Sequence, residues 1–170
     1  MKKTILIISI LSIIFLTGCG FFNLSNFILP DNIKFLIRIE TLNTPEKICN
    51  YMKENFTYKA HPVYSPDPYT LWKTKKGDCN DMSTFGVFVA NYHGYETYQI
   101  HIYYKETLVS HYIAIYVEDD EMAFSDNWLY IPMQKDSFVE IVDYDCWLQE
   151  RELKNYIVYD YNLDVIEEGK

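Results

Sequence analysis

Glycine and proline are scarce in this 170-residue chain, with 6 of each. Set against a hydrophobic fraction of 49%, that scarcity excludes a disordered chain and a collagen-like repeat. Positive charge is also short: 15 Lys and Arg stand against 24 Asp and Glu, a formal net charge of −9. Nothing here neutralises a phosphate backbone, so no nucleic-acid partner is expected. The 4 cysteines are too few and too scattered for a disulfide framework. Neither C-x-x-C nor H-x-x-x-H occurs, so no metal site and no cofactor are expected. No apolar run reaches the roughly 20 residues that a membrane-spanning helix needs, which excludes a polytopic membrane protein. What the chain has in plenty is aromatic rings, 17% of its residues, with 16 Tyr and 10 Phe. Such rings suit the half-buried face of a strand and favour sheet over a helical bundle.

Residues 1–18 read as a secretory signal. Lys2 and Lys3 form a positive start, Ile5–Leu16 is an apolar stretch of signal-peptide length, and Leu16-Thr17-Gly18-Cys19 closes it. That closing sequence looks like a bacterial lipobox, cleaved before Cys19, whose thiol then carries lipid. The alternative is an ordinary secretory signal with Cys19 incidental. On the lipoprotein reading the protein sits on the extracytoplasmic face of a bacterial cell membrane. Acyl chains at Cys19 hold it there, because an acidic domain is repelled by anionic lipid. Residues 19–43 are then tether and first element, and residues 44–170 the domain.

Within the domain, Thr44-Pro45-Glu46 is a helix start: a hydroxyl N-cap, Pro at the first helical position and an acid in the first turn. Ile48, Tyr51 and Met52 continue it to about Asn55. His61–Pro68 carries three prolines and reads as loop. A second helix follows Gly77-Asp78-Cys79, capped by Asp78, with Met82, Phe85, Gly86, Val89 and Tyr92 on one face and Gly94 as its C-terminal glycine. After Gly94 the period changes to two. Tyr98, Ile100, Ile102 and Tyr104 make one strand face, with His101 on the opposite, polar face. His111, Ile113, Ile115 and Val117 make the next, and Met122–Asp126 begins a third after the turn Glu118–Glu121. Phe138–Val142 and Tyr156–Tyr161 are further strand segments, with a short helix over Asp145–Leu153 between them. Helices first and antiparallel strands after predict an α+β fold.

Three residues carry the chemistry: Cys79, His111 and Asp126. A cysteine at a helix start meets free amides and the positive end of the dipole, which favour the nucleophilic thiolate. Asp78 and Asp81 oppose it, so a protonated histidine would have to outweigh them. With a two-residue loop at Asp119-Asp120, Glu118 pairs with Glu121, and Asp126 becomes the diagonal same-face neighbour of His111. A loop shifted by one places the two directly opposite, and a three-residue loop would separate them. In the roles this allows, Cys79 attacks an acyl carbonyl, His111 takes and returns the proton, and Asp126 orients the imidazole. The Cys79 backbone N–H is an oxyanion donor; a second donor is unassigned, with Trp72, Tyr69 and Tyr64 available upstream. His93 reads as a dipole-compensating residue at a helix end. Cys49 and Cys146 either pair as a disulfide or remain buried thiols.

The run Lys76-Gly77-Asp78-Cys79-Asn80-Asp81, the helix ending at Gly94, His111 at a strand start and Asp126 on its hairpin partner together resemble the transglutaminase-like superfamily. The resemblance covers roughly residues 44–130. It implies a papain-like α+β core, with the Cys helix packed on an antiparallel sheet and Cys79, His111 and Asp126 as a triad. It also implies a thiol enzyme that forms a thioester on a peptide or protein amide and passes the acyl group to water or to an amine. Two rivals stand beside it. One is a non-catalytic lipoprotein of the same fold that holds a peptide or a cell-wall component; the other is a wall-peptide hydrolase of another papain-like type.

Overall fold

The computed structural model describes residues 31–61, 67–105 and 108–170. The chain runs α1 (Ile33–Thr41), α2 (Pro45–Asn55), β1 (Thr57–Tyr58), α3 (Pro68–Thr74), β2 (Lys76–Gly77) and α4 (Cys79–Tyr92). It continues through β3 (Thr97–Tyr104), β4 (Ser110–Glu118), β5 (Glu121–Asp126), β6 (Leu129–Lys135), α5 (Phe138–Leu148), β7 (Leu153–Asp160) and β8 (Val165–Gly169). β1 and β2 form a short parallel pair, and the other six strands one antiparallel sheet in the order β6-β5-β4-β3-β7-β8. This is the α+β fold that the sequence predicts, with a helix opening on Cys79. Among the described residues no helix is long and apolar enough to cross a membrane.

The sheet is covered on both faces. On one, α4 lies at the centre with α1, α2 and α3 around it, and Phe35, Ile48, Met52, Phe85 and Phe88 pack with Ala114 and Tyr116 of β4. On the other, Ile100, Ile102, Ile113, Ile115 and Phe124 pack against Ile141, Val142 and Cys146 of α5. Double coverage corrects the expectation for His101: its face is not polar but buried, and its ring stacks on Tyr112 at 3.9 Å. Cys49 and Cys146 fall in the two separate cores, and both are free thiols rather than a disulfide. Burial pushes the Cys49 thiol up to about 12 and the Cys146 thiol to about 11.

Two segments take another form than expected, and β1, β2, β6 and β8 stand where no element was expected. Phe138–Val142 is the first half of α5, not a strand. Phe138, Ile141, Val142, Asp145 and Cys146 recur at helical spacing and put one stripe against the sheet. Asp145–Leu148 belongs to the same helix, and Leu153 already opens β7. The second departure is α3, which begins at the end of the proline-rich segment. Asp67 accepts from the amides of Tyr69 and Thr70, with Pro68 at the first helical position. Elsewhere the caps stand as expected: Thr44 and Asp78 cap α2 and α4, and Gly94 has φ +87° beyond the end of α4.

The β4–β5 hairpin decides where His111 and Asp126 lie. Asp119 and Asp120 take φ 53° and 66°, a two-residue turn whose twist matches its strands. Glu118 therefore pairs with Glu121, and Ile113 with Asp126. His111 and Asp126 fall on one face as diagonal neighbours, the first of the two registers that the sequence allows.

Candidate active site

Gly77-Asp78-Cys79 leads from β2 straight into α4, and each residue has a physical task. The Asp78 carboxylate accepts from the amides of Asn80 and Asp81, and the Asp81 carboxylate returns to the Asp78 amide at 2.8 Å. The Asp81 side chain folds back under Gly77 so closely that a Cβ there would stand 2.5 Å from its Oδ2. That approach requires glycine. His61 closes the arrangement, its Nε2 2.6 Å from Asp81 Oδ2. With its neighbours' amides taken by Asp78, the Cys79 N–H has no hydrogen-bond partner among the described residues. It sits at the positive end of the helix, next to the thiol it would serve.

His111, at the start of β4, places Nε2 2.8 Å from Asp126 Oδ1. Asn127 donates to the same oxygen at 2.8 Å, and Gln149 donates to Asp126 Oδ2 at 2.9 Å. Both carboxylate oxygens are thus fixed. Since Nε2 is committed to Asp126, Nδ1 is the ring nitrogen left over in the cavity that His111 shares with Cys79. Burial alone would push the imidazole down. The hydrogen bonds to Asp126 and Cys79, with the charges of Asp145 and Asp126, outweigh it and hold His111 up at about 10. The pair lies on the sheet face that α5 covers, while α4 packs on the opposite face and presents Cys79 from its first turn.

Besides Asn127 and Gln149, two residues at this site were not read from the sequence. Asp145 is fully buried on α5, and its carboxylate, that of Asp126 and the His111 ring bring ligand atoms within 4.8 Å of one another. Burial pushes the Asp145 carboxyl up to about 6, against the pull of His111 and of the Tyr104 hydroxyl that donates at 3.0 Å. Its signal is a charge at a core-facing position of a helical stripe. The other is Tyr58 of β1, which lines the same cavity as Cys79. Burial first, then the charges of Cys79 and Asp78, push the Tyr58 phenol up. No periodicity marks it, because it arrives through the two-residue parallel pairing with β2. The expected second donors stand elsewhere: Tyr69 and Trp72 each pack on Phe35 with ring centroids 5.4 Å apart, and Tyr64 lies outside the described residues, as does Cys19.

Tyr58, Cys79, His111 and Asp126 line one cavity of about 290 Å³, with Ser110, Asn127, Gln149 and Arg151 on its wall. Among the described residues two sets of side chains offer three clustered ligand atoms each, His61–Asp78–Asp81 and His111–Asp126–Asp145. In both, the histidine already bonds one of the carboxylates, at 2.6 and 2.8 Å, and these bonds account for the clustering.

Residues 39–149 match the sequence model of the transglutaminase-like superfamily. The chain belongs to the transglutaminase-like superfamily. Its α+β core, with a helix opening on cysteine beside an antiparallel sheet, is the papain-like arrangement of that superfamily. No curated protein matches the sequence. Among solved structures, a protein of Cytophaga hutchinsonii described as a candidate cysteine protease is similar at 10% identity, with a TM-score of 0.48. The similarity covers 79% of this transglutaminase-like chain and 48% of that one, so the chain spans about half the length of that protein.

Proposed function

We propose that this transglutaminase-like protein is a thiol acyl-transfer enzyme, with Cys79 as nucleophile, His111 as general acid and base, and Asp126 as the orienting carboxylate. The observation that carries this reading is the one cavity that brings Cys79 together with the His111–Asp126 pair, bonded at 2.8 Å, in which the imidazole is held up at about 10 and stays protonated at neutral pH. A protonated imidazole against a cysteine at a helix start favours the thiolate.

The thiolate attacks the carbonyl carbon of a peptide or protein amide, and the carbonyl electron pair moves to oxygen. The Cys79 N–H and the Tyr58 hydroxyl are the donors available to that oxyanion. Collapse breaks the C–N bond as His111 gives its proton to the leaving amine, which leaves a thioester on Cys79. Water then loses a proton to His111 as it attacks the thioester, and the C–S bond breaks to restore the thiolate. An amine acceptor would run the same steps to a new amide; we assign hydrolysis because water is always present at the site. Lipid attachment through Cys19 on the extracytoplasmic face of a bacterial membrane belongs to the same proposal and rests on residues 1–19 of the sequence.

The test is the pH dependence of iodoacetamide labelling at Cys79, read by peptide mass on the full chain. Rapid labelling at pH 6, well below the ~8.5 of a free thiol, is expected, and His111→Ala slows it on the order of 100-fold. Labelling only near the free-thiol pH, indifferent to His111→Ala, would overturn catalysis in favour of a peptide-binding module.

A further inference from the structure

The cavity at Cys79 contains a cation that acyl transfer does not use. Arg151 is one of two arginines in the chain, the other being Arg38. Among the described residues no carboxylate lies within the 4.0 Å of an ion pair with it. Its neighbours are committed elsewhere: Glu152 pairs with Lys105 at 3.3 Å, and Gln149 holds Asp126.

Its position is built rather than accidental. Helix α5 ends in a turn in which the Glu150 amide bonds Trp147 O at 3.2 Å and the Arg151 amide bonds Cys146 O at 2.9 Å. Glu150 takes the left-handed conformation, φ 52°, that this turn demands. One turn therefore does two things: it sets Gln149 on Asp126, and it brings Arg151 to the wall of the thiol cavity. Arg151 also lines an adjoining cavity of about 450 Å³ beside Trp147 and Leu148.

An exposed guanidinium with no ion pair among the described residues, in an acidic protein and on the wall of the thiol cavity, is free to take an anion from outside the chain. Its planar fork matches a carboxylate in two-point contact. The 290 Å³ cavity is at the small end of ligand sites, with room for one or two residues around the reacting carbonyl. We infer that Arg151 binds a carboxylate of the substrate, so that the acyl donor is a peptide amide carrying a free carboxylate on the residue that reacts or on its immediate neighbour. This rests on the thiol reading above and names its substrate class.

Iodoacetate and iodoacetamide test it, because both alkylate the thiolate at the same carbon with loss of iodide and differ only in carboxylate against amide. The quantity read is the ratio of their rates at Cys79 at pH 6 and low salt, in the full chain. His111 and the helix start attract iodoacetate as well, so the Arg151 share is the change in that ratio on Arg151→Gln. Lys154→Gln, which removes the same charge from an exposed position on β7, is the control. The expected result is a fall of about threefold in the ratio in Arg151→Gln, the scale of one exposed ion pair, with the ratio in Lys154→Gln unchanged. Brisk iodoacetamide labelling with no change of ratio in Arg151→Gln would overturn the inference and leave the thiol reading standing. An equal fall in both variants would also overturn it, as an effect of overall charge. Slow labelling by both reagents in the unmutated protein would overturn the thiol reading itself.

Discussion

Two groups of one histidine and two aspartates flank Cys79, and they differ in where their oxygens point. In His61–Asp78–Asp81 both carboxylates bond backbone amides, Asp78 those of Asn80 and Asp81, and Asp81 that of Asp78. In His111–Asp126–Asp145 the partners among the described residues are side chains: His111, Asn127 and Gln149 for Asp126, and Tyr104 for Asp145. A carboxylate committed to amides fixes the start of a helix. A carboxylate held by side chains alone is left to act on its imidazole, whereas Asp81 meets His61 with the same oxygen that already holds the Asp78 amide. Exposure follows the same division, with the His61 side chain 28% exposed and that of His111 12%. Residue type and clustering are alike in the two groups, so neither separates a cap from a site; the acceptor's partner does.

The largest expected effect comes from breaking the second group and reading stability against pH. His111 has its folded-state value raised from the ordinary 6.5 to about 10. A raised value means that the folded state holds the proton more tightly, so its stabilising contribution is complete below 6.5 and is lost as the pH climbs through the folded value. Cys79 itself acts on His111, so the comparison is Cys79→Ala against Cys79→Ala with His111→Ala. The histidine-bearing protein is expected to be the more stable by on the order of 2 kcal/mol at pH 6. That margin vanishes before pH 10, because Cys79→Ala removes one of the bonds that raises His111. Urea melts at pH 6, 8 and 9.5 read it, and a margin constant with pH would mean that Asp126 and Asp145 do not hold a proton on His111.

Much of this second group was legible in the sequence, for physical reasons that stop at definite residues. Strand parity and a two-residue turn are local rules, and Glu118–Glu121 obeyed them; hence His111 and Asp126 meet. The Asp78 cap was legible because capping depends on residues within one turn. Asp145 was not, because an aspartate in a core position interrupts the apolar stripe of α5 and makes Phe-Val-Glu-Ile-Val look like a strand. Tyr58 was not, because parallel pairing across the segment between Tyr58 and Lys76 leaves no local pattern. The His61 contact with Asp81 likewise joins residues 20 apart through a loop. Interactions set by the turn or the strand repeat could be read; those set by how elements pack could not.

The first group is tested by Asp81→Ala. It removes the acceptor for the Asp78 amide and the partner of His61 but leaves the Asp78 cap on Asn80 in place. The expected cost is about 1–2 kcal/mol of stability, the range for losing half of a capping box. Iodoacetamide labelling of Cys79 at pH 6 is expected to stay within about threefold of the unmutated protein, because the Asp78 side chain still caps the start of α4 at Asn80. Stability is read from the urea midpoint and labelling from peptide mass. A collapse of labelling on the scale of His111→Ala would join the two groups into one functional unit and remove the distinction between them.

The smallest effect probes the helix end that holds the second group, as the capping box holds the first. α4 and α5 close with the same pair of backbone bonds, Gly94 to Asn91 and Tyr95 to Ala90 in one, Glu150 to Trp147 and Arg151 to Cys146 in the other. The left-handed position is a glycine in α4 and a glutamate in α5, with φ +87° and 52°. A side chain there meets a steric cost of about 1 kcal/mol, part of which glycine returns through its looser unfolded chain. Glu150→Gly is therefore expected to raise stability by about 0.5 kcal/mol. Gln149 and Arg151 keep their places, so the Cys79 rate and the iodoacetate-to-iodoacetamide ratio should not move. A gain in stability with slower labelling would mean that the glutamate, through its stiffness at this turn, is what keeps Gln149 on Asp126. The helix end would then be a working part of the site, beside the helix start that presents Cys79 and its N–H.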